Sequence, residues 1–161
     1  MNFFKSLKNA FKGILYCIHT ERNMRIHTVA ALYVLIFSKY FNLSSEKYAI
    51  LFLIIGLIFS FELLNTGVEK MTDTLIDKYN INVKIIKDLF AGSVLILAII
   101  SIAVGILFFG NLNTWYFIFW DLIKKPNLLI LFIISIFISI FYIKIGPIGI
   151  KNHYKKFSIK R

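Results

Sequence analysis

The chain has 161 residues, of which 58% are hydrophobic, 17% aromatic and 17% charged, with a formal net charge of +11. Apolar residues dominate and there is one cysteine, which excludes a disordered chain, a collagen-like chain and a disulfide scaffold. Several apolar segments are long enough to cross a lipid bilayer, so we expect an all-α integral membrane protein. The charges lie between and beside these segments, which favours anionic lipid headgroups as partners and argues against nucleic acid.

The first segment, about residues 1–20, has the pattern of an amphipathic helix. Its apolar side chains recur at helical spacing and are Phe3, Phe4, Leu7, Phe11, Ile14, Leu15 and Ile18. The opposite arc of the helix carries polar and basic side chains, namely Lys5, Lys8, Asn9 and Lys12. We therefore predict a surface helix that lies in the membrane interface, with its aromatic rings toward the acyl chains.

Four apolar segments that follow have the length of membrane spans. They cover about residues 24–43, 48–69, 89–110 and 126–143. The second is uncharged only from Tyr48 to Phe61, so a helix long enough to span must include Glu62. The polar residues from Lys70 to Asp88 predict a loop between the second and third spans.

The remaining residues, 111–161, predict an interfacial segment, the fourth span and a basic tail. Trp115, Tyr116 and Trp120 are typical of an aromatic belt at the membrane surface. The N-terminal segment, the second loop and the tail together hold fifteen of the 19 lysines and arginines. The positive-inside rule then predicts a multi-pass membrane protein with both ends and the basic tail in the cytoplasm.

A stripe of polar residues on the second span is the candidate functional site. At 100° per residue, one helix face carries Glu62, Asn65, Thr66, Glu69 and Asp73. A charged group at the centre of a spanning helix costs about 2.5–3.5 kcal/mol, so Glu62 is a functional candidate. The alternative is that Glu62 only pairs with a cation from another helix, but three carboxylates and an amide are more than one ion pair requires.

Carboxylates at the membrane border suit a divalent cation that carries nucleotide phosphates. Magnesium typically uses few protein carboxylates and completes its shell with substrate oxygens and water. Lys84, Lys87 and Asp88 open the next span, and Glu21 follows the surface helix as a further candidate ligand. The sequence lacks the G-x-x-x-x-G-K-[ST] motif of a P-loop, so we expect a nucleotide site built from helix ends and side chains.

Four motifs occur in a specific order and spacing. They are F-K-G at 11–13, E-R-N-M-R-I-H at 21–27, E-x-x-N-x-x-x-E-x-x-x-D at 62–73 and K-D-x-x-A-G-S at 87–93. Over about residues 3–110 the chain resembles the small prokaryotic diacylglycerol kinase family. His27 stands where the diacylglycerol kinase branch tends to have an acid, and this favours the undecaprenol kinase branch.

The resemblance implies ATP-dependent phosphorylation of a membrane lipid alcohol, either undecaprenol or, as the alternative, diacylglycerol. It implies that Glu62 is the general base and that Glu21 and Glu69 are ligands of Mg²⁺. Asn65 would orient the catalytic carboxylate or the substrate, and Asp73 would support the site electrostatically. The residues implied to contact the nucleotide are Asn9, Lys78, Tyr79, Asn80, Lys87 and Asp88.

The resemblance also implies a fold, an assembly and a location in the bacterial inner membrane. Residues 1–110 would form the lipid kinase domain, a surface helix plus three spans, assembled as a homotrimer with active sites between protomers. The fourth span and the tail lie outside the resemblance. A function of another class, a small ion or proton transporter that uses Glu62 and Glu69, would need polar groups on several spans, whereas the third span is uninterruptedly apolar.

Overall fold

The computed structural model describes residues 2–76 and 79–146, and this part of the chain forms helices and no strand. The helices are α1 (Phe3–Thr20), α2 (Arg22–Ser38), α3 (Ser45–Leu75), α4 (Ile81–Phe109), α5 (Leu112–Lys124) and α6 (Pro126–Ile145). The prediction of an all-α fold is confirmed.

Among the described helices, α3, α4 and α6 are long and apolar enough to cross a membrane. Helix α2 has 17 residues, which gives about 25 Å, less than the roughly 30 Å of a hydrocarbon core. The predicted first span, residues 24–43, is helical only as far as Ser38, because the chain turns there and Asn42 adopts a positive φ of 47°. The chain is a multi-pass membrane protein in which α2 is the shortest of the core helices.

The predicted loop from Lys70 to Asp88 is wrong in its extent. Helix α3 continues to Leu75, and α4 already begins at Ile81. The loop was predicted from polar side chains, which mark where a helix leaves the lipid. The helical backbone hydrogen bonds continue beyond that point into the aqueous region. Asn80 caps α4, since its side-chain oxygen accepts a hydrogen bond from the Asn82 amide at 2.9 Å. As a result, the polar stripe of α3 remains on one continuous helix.

Helices α3 and α4 form an antiparallel hairpin. Asp73 and Lys87 form an ion pair at one end of it. At the other end, the Lys47 ammonium lies 5.4 Å from the centroid of the Phe108 ring. Helix α1 packs against the end that carries Asp73 and Lys87, and we call this the α1 end of the bundle. The opposite end, where α5 follows α4, is called the α5 end.

Helix α6 packs antiparallel on α2. The Tyr33 hydroxyl is hydrogen bonded to Ser135 Oγ at 2.9 Å and to Ser139 Oγ at 3.2 Å. Nearer the α5 end, the Phe37 and Phe132 rings meet edge to face with centroids 5.9 Å apart. Helix α6 covers the predicted fourth span and returns the chain to the α1 end.

The surface helix α1 presents its aromatic rings away from the protein. Phe3 is 72% exposed and Phe4 is 76% exposed, whereas Cys17 and His19 near the end of the helix are buried. Exposed rings on a basic helix are what insertion into a membrane interface requires. The C-terminal turn of α1 is therefore the part that contacts the other helices.

The contact between α2 and α6 predicts a loss of stability in Tyr33→Phe. Hydrogen bonds between membrane helices contribute about 0.6 kcal/mol on average, so this variant should unfold at a slightly lower temperature in detergent. Tyr116→Phe is the matched control, because Tyr116 is 67% exposed on α5. Equal unfolding temperatures for both variants and the unmodified chain would contradict the role of the Tyr33 hydroxyl.

Candidate functional site

The central residue of the site is Glu62, whose side chain is buried inside the membrane-spanning part of α3. It is 1% exposed and lies 17 residues from the start of α3, about 25 Å along the helix axis. Its Oε1 atom lies 3.2 Å from Nε2 of His27 on α2. The same oxygen accepts no hydrogen bond from the described residues. The carboxylate is therefore buried against His27 in an ion-pair contact, without a hydrogen bond of regular geometry to this oxygen.

The end of α1 is fixed to α3 one turn beyond Glu62. The Thr66 hydroxyl donates to the Glu62 carbonyl at 2.9 Å, so the Cys17 thiol, 3.2 Å from Thr66 Oγ1, is left as the donor to Thr66. Burial raises the pKa of Cys17, and the thiol stays protonated in this role. Cys17 joins the surface helix to the helix that carries the acidic stripe.

The junction between α1 and α2 brings Glu21 to the acidic stripe. Glu21 has extended backbone angles, with φ −97° and ψ 122°, and this single residue separates the two helices. Burial raises the pKa of Glu21 above its ordinary value, and the negative charges of Glu69 and Glu62 raise it further, against the lowering effects of Thr20 and Arg25. The two carboxylates predicted as metal ligands are thus close enough to interact electrostatically.

Asn65 orients Glu69 rather than Glu62. Its Nδ2 atom donates to Glu69 Oε1 at 3.2 Å, while its own Oδ1 is buried without a partner among the described residues. Three oxygen-bearing side chains, those of Glu21, Glu69 and Asn65, therefore lie at the same part of the site.

This set of oxygens fits magnesium better than a metal held by protein alone. Within the described ranges, no group of three or more histidine, cysteine or acidic side chains is arranged to hold a metal ion. Magnesium needs only one or two carboxylates when phosphate and water complete its octahedral shell. The buried, unpartnered Oδ1 of Asn65 is a further oxygen of the kind that magnesium accepts.

The Asp73–Lys87 ion pair lies on the aqueous side of the site. Asp73 is eleven residues beyond Glu62, about 16 Å along α3. The side chains of Lys87 and Asp73 are 32% and 63% exposed. Because exposed ion pairs contribute little to stability, the lysine can exchange its partner for a phosphate group at low cost.

The other predicted nucleotide contacts that the structure describes are exposed side chains. Asn9 is exposed on α1, eight residues before Cys17 and about 12 Å from it along the helix. Tyr79 is 82% exposed, Asp88 is also exposed, and Asn80 serves as the cap of α4. Lys78 lies outside the described residues.

Two residues of the site had no role in the sequence-based prediction. His27 indicated only the branch of the family, whereas the structure brings it against Glu62. Arg25, a second such residue, is buried and contacts the ends of two helices. Both contacts join helices far apart in sequence, so no local pattern reveals them.

Apolar spaces lie on both sides of the Glu62 backbone. A cavity of about 110 Å³ between α2, α3 and α4 begins at His27 and is lined by apolar residues such as Val34 and Ile58. A groove of about 520 Å³ between α1 and α3 is lined by Tyr16, Leu63 and others, with Lys70 on its wall. A buried base beside apolar spaces suits an alcohol that carries a hydrocarbon chain.

The family model described as prokaryotic diacylglycerol kinase matches residues 8–109. The chain is 44% identical over 107 residues to an undecaprenol kinase of Bacillus subtilis (strain 168), a match that covers 66% of this chain and 87% of that protein. It is 37% identical over 105 residues to a diacylglycerol kinase of Synechocystis sp., covering 65% of this chain and 60% of that protein. No solved structure shows significant similarity. The chain therefore belongs to the prokaryotic diacylglycerol kinase family and is a membrane-bound lipid kinase.

Proposed function

We propose that this chain transfers the γ-phosphoryl group of ATP to the hydroxyl of undecaprenol and forms undecaprenyl phosphate. The observation that carries the proposal is the Glu62 carboxylate, which is 1% exposed at membrane depth and lies against His27. Glu69 and Lys87 lie farther toward the aqueous side of the same site. A lipid alcohol keeps its hydroxyl near the interface and its chain in the bilayer, while ATP approaches from water, and this arrangement accommodates both.

The proposed reaction needs few groups from the protein. Glu62 accepts the hydroxyl proton while the alcohol oxygen attacks the γ-phosphorus, and ADP leaves. Glu21, Glu69 and the Asn65 oxygen would hold Mg²⁺, which supplies charge neutralisation for the ATP phosphates when bound. Lys87 would exchange Asp73 for a phosphate oxygen. Phosphoryl transfer depends mainly on positioning and electrostatics, for which these residues suffice.

The undecaprenol kinase of B. subtilis supports undecaprenol as the acceptor, because the similarity extends over 87% of its length. Diacylglycerol is the second candidate, supported by the Synechocystis relative. An ion or proton transporter would need polar groups on several spans. Helices α4 and α6 are strongly apolar, which argues against that function.

The side of the membrane and the assembly are part of the same proposal. The site lies at the α1 end of the bundle, to which the positive-inside rule assigns fifteen lysines and arginines, so we propose that it faces the cytoplasm. Asn9 is exposed on α1, about 12 Å along the helix from Cys17, so it is accessible to a neighbouring protomer. We therefore propose a homotrimer in which Asn9 contacts the nucleotide at a neighbouring protomer.

The experiment that tests the function uses the purified full-length chain in lipid nanodiscs with labelled ATP and Mg²⁺. Undecaprenol and diacylglycerol are offered in parallel reactions. We expect label to enter undecaprenyl phosphate faster than phosphatidic acid. A preference for diacylglycerol would overturn the choice of acceptor, and transfer to neither lipid would overturn the proposed function.

Removal of the base should abolish turnover. Glu62→Gln keeps the shape of the side chain but not its basicity, and general bases typically contribute about 10²–10⁴-fold, so kcat should fall at least 100-fold. Glu46→Gln is the matched control, since Glu46 lies fully exposed on the same helix at the opposite end of the bundle. A Glu62→Gln variant with more than a tenth of the original kcat would contradict the assignment of the base.

Glu21→Gln should change stability and activity in opposite directions. Burial and the neighbouring carboxylates raise the pKa of Glu21, so its charged form is disfavoured in the folded protein without a metal. Neutralising it should raise the unfolding temperature in EDTA by about 2 °C, yet lower turnover because a metal ligand is lost. Thermal unfolding and initial rates measure the two effects, and a lower unfolding temperature in EDTA would contradict the electrostatic argument.

A further inference from the structure

Arg25 is a buried arginine that makes hydrogen bonds to the ends of two helices. It is 7% exposed. Its Nη1 atom donates to the carbonyls of Ile18 at 3.2 Å and His19 at 3.1 Å, in the last turn of α1. Its Nε atom donates to the carbonyl of Ile143 at 3.2 Å, in the last turn of α6. One guanidinium thus caps the C-terminal ends of both helices.

These carbonyls need a partner from outside their own helices. The extended backbone at Glu21 redirects the chain, so the amides of residues 22 and 23 begin α2 rather than continue α1. In α6, the amide that would bond to Ile143 belongs to residue 147, which is a proline and has no N–H. Helix C-termini also carry partial negative charge, which favours a cation at this point. The planar fork of an arginine offers several donors at once, which a lysine cannot match.

The residue that follows α6, Gly146, lies within contact distance of the Arg25 guanidinium. Gly146 follows the helix with a φ of +74°, a left-handed conformation in which side chains are strained. A Cβ atom at this position would lie 3.4 Å from Arg25 Nη1. Gly146 therefore allows the termination of α6 at this φ, and a side chain here would be strained while in van der Waals contact with the guanidinium.

We propose that Arg25 is a positioning residue that couples α6 to the site through this double cap. By holding the ends of α1 and α6 together, it fixes the junction at Glu21 and so the position of that carboxylate. Helix α6 then acts as a brace for the magnesium–ATP site, although it makes no contact with substrate. The inference rests on the proposed function for the role of Glu21 as a metal ligand. Residues 126–145 lie outside the matched residues 8–109, so the brace is a feature of this chain rather than of the family match.

The experiment compares Arg25→Lys, Gly146→Ala and the double variant in the full-length chain. Arg25→Lys keeps the positive charge but loses the planar guanidinium with its several donors. It therefore distinguishes an effect of the two helix caps from electrostatic attraction of ATP by the charge. Arg22→Lys and Gly56→Ala are the matched controls. Arg22 is exposed three residues before Arg25, and a Cβ on Gly56 would meet no atom within 4 Å outside its own helix.

We expect each of the two single variants to raise the KM for Mg·ATP roughly fivefold, the lower end of typical coupling between sites, with kcat changed less than twofold. The double variant should be no worse than the more affected single variant, because both changes break the same contact. The unfolding temperatures measured without nucleotide should show the same non-additivity. Neither control should change the KM or the unfolding temperature.

Three results would overturn the proposal. An unchanged KM in Arg25→Lys would show that charge, not the cap, matters. Additive effects in the double variant would show that Arg25 and Gly146 act separately. Lower unfolding temperatures with an unchanged KM would reduce the contact to a structural one. An unmodified chain that phosphorylates no lipid alcohol would instead contradict the proposed function, and the unfolding temperatures, which need no turnover, would still decide whether Arg25 joins the two helix ends.

Discussion

The burial of one carboxylate inside a membrane helix is the constraint around which this protein is arranged. An ionisable side chain near the bilayer centre costs about 2.5–3.5 kcal/mol on insertion scales, so it persists only where other polar groups surround it. For Glu62 these groups come from two other helices. His27 of α2 lies beside the carboxylate, and Cys17 of α1 bonds to Thr66 one turn beyond it. The packing of α1 and α2 on α3 follows from this requirement.

The break at Glu21 has two effects that depend on each other. It ends α1 early, so a carboxylate is free to turn toward Glu69, and it leaves carbonyls at the end of α1 without their helical partners. The buried Arg25 satisfies those carbonyls. Glu21, a candidate metal ligand, is thus also the residue at which α1 ends, and the carbonyls left without helical partners accept hydrogen bonds from Arg25. Charge at this junction is balanced between the repulsion of three carboxylates and the attraction of one guanidinium.

Much of the architecture was predictable from the sequence, since the length and hydropathy of the apolar segments identify α3, α4 and α6 as spans. Helical periodicity placed Glu62, Glu69 and Asp73 on one face, and α3 is indeed continuous through all three. The ends of the helices were not predictable in the same way. Hydropathy changes at the membrane boundary, whereas hydrogen bonding of the backbone ends at caps such as Asn80.

The contacts within the site were harder to predict than its members. The proximity of His27 to Glu62 and the bonds from Arg25 to Ile143 depend on how separate helices pack, which no local pattern encodes. The preference of Asn65 for Glu69 over Glu62 depends on rotamers. Sequence reasoning therefore placed the polar residues of α3 on one face of a helix, but it did not determine which partner each of them has.

The antiparallel packing of α6 on α2 also determines the compartment in which the chain emerges. After α4 the backbone is at the α5 end, and after α6 it is back beside Arg25 at the α1 end. A reporter protein attached after residue 110 and one attached after Gly146 would consequently lie on opposite sides of the membrane. Helix α6 thus ends on the same side of the bundle as the surface helix, beside Arg25.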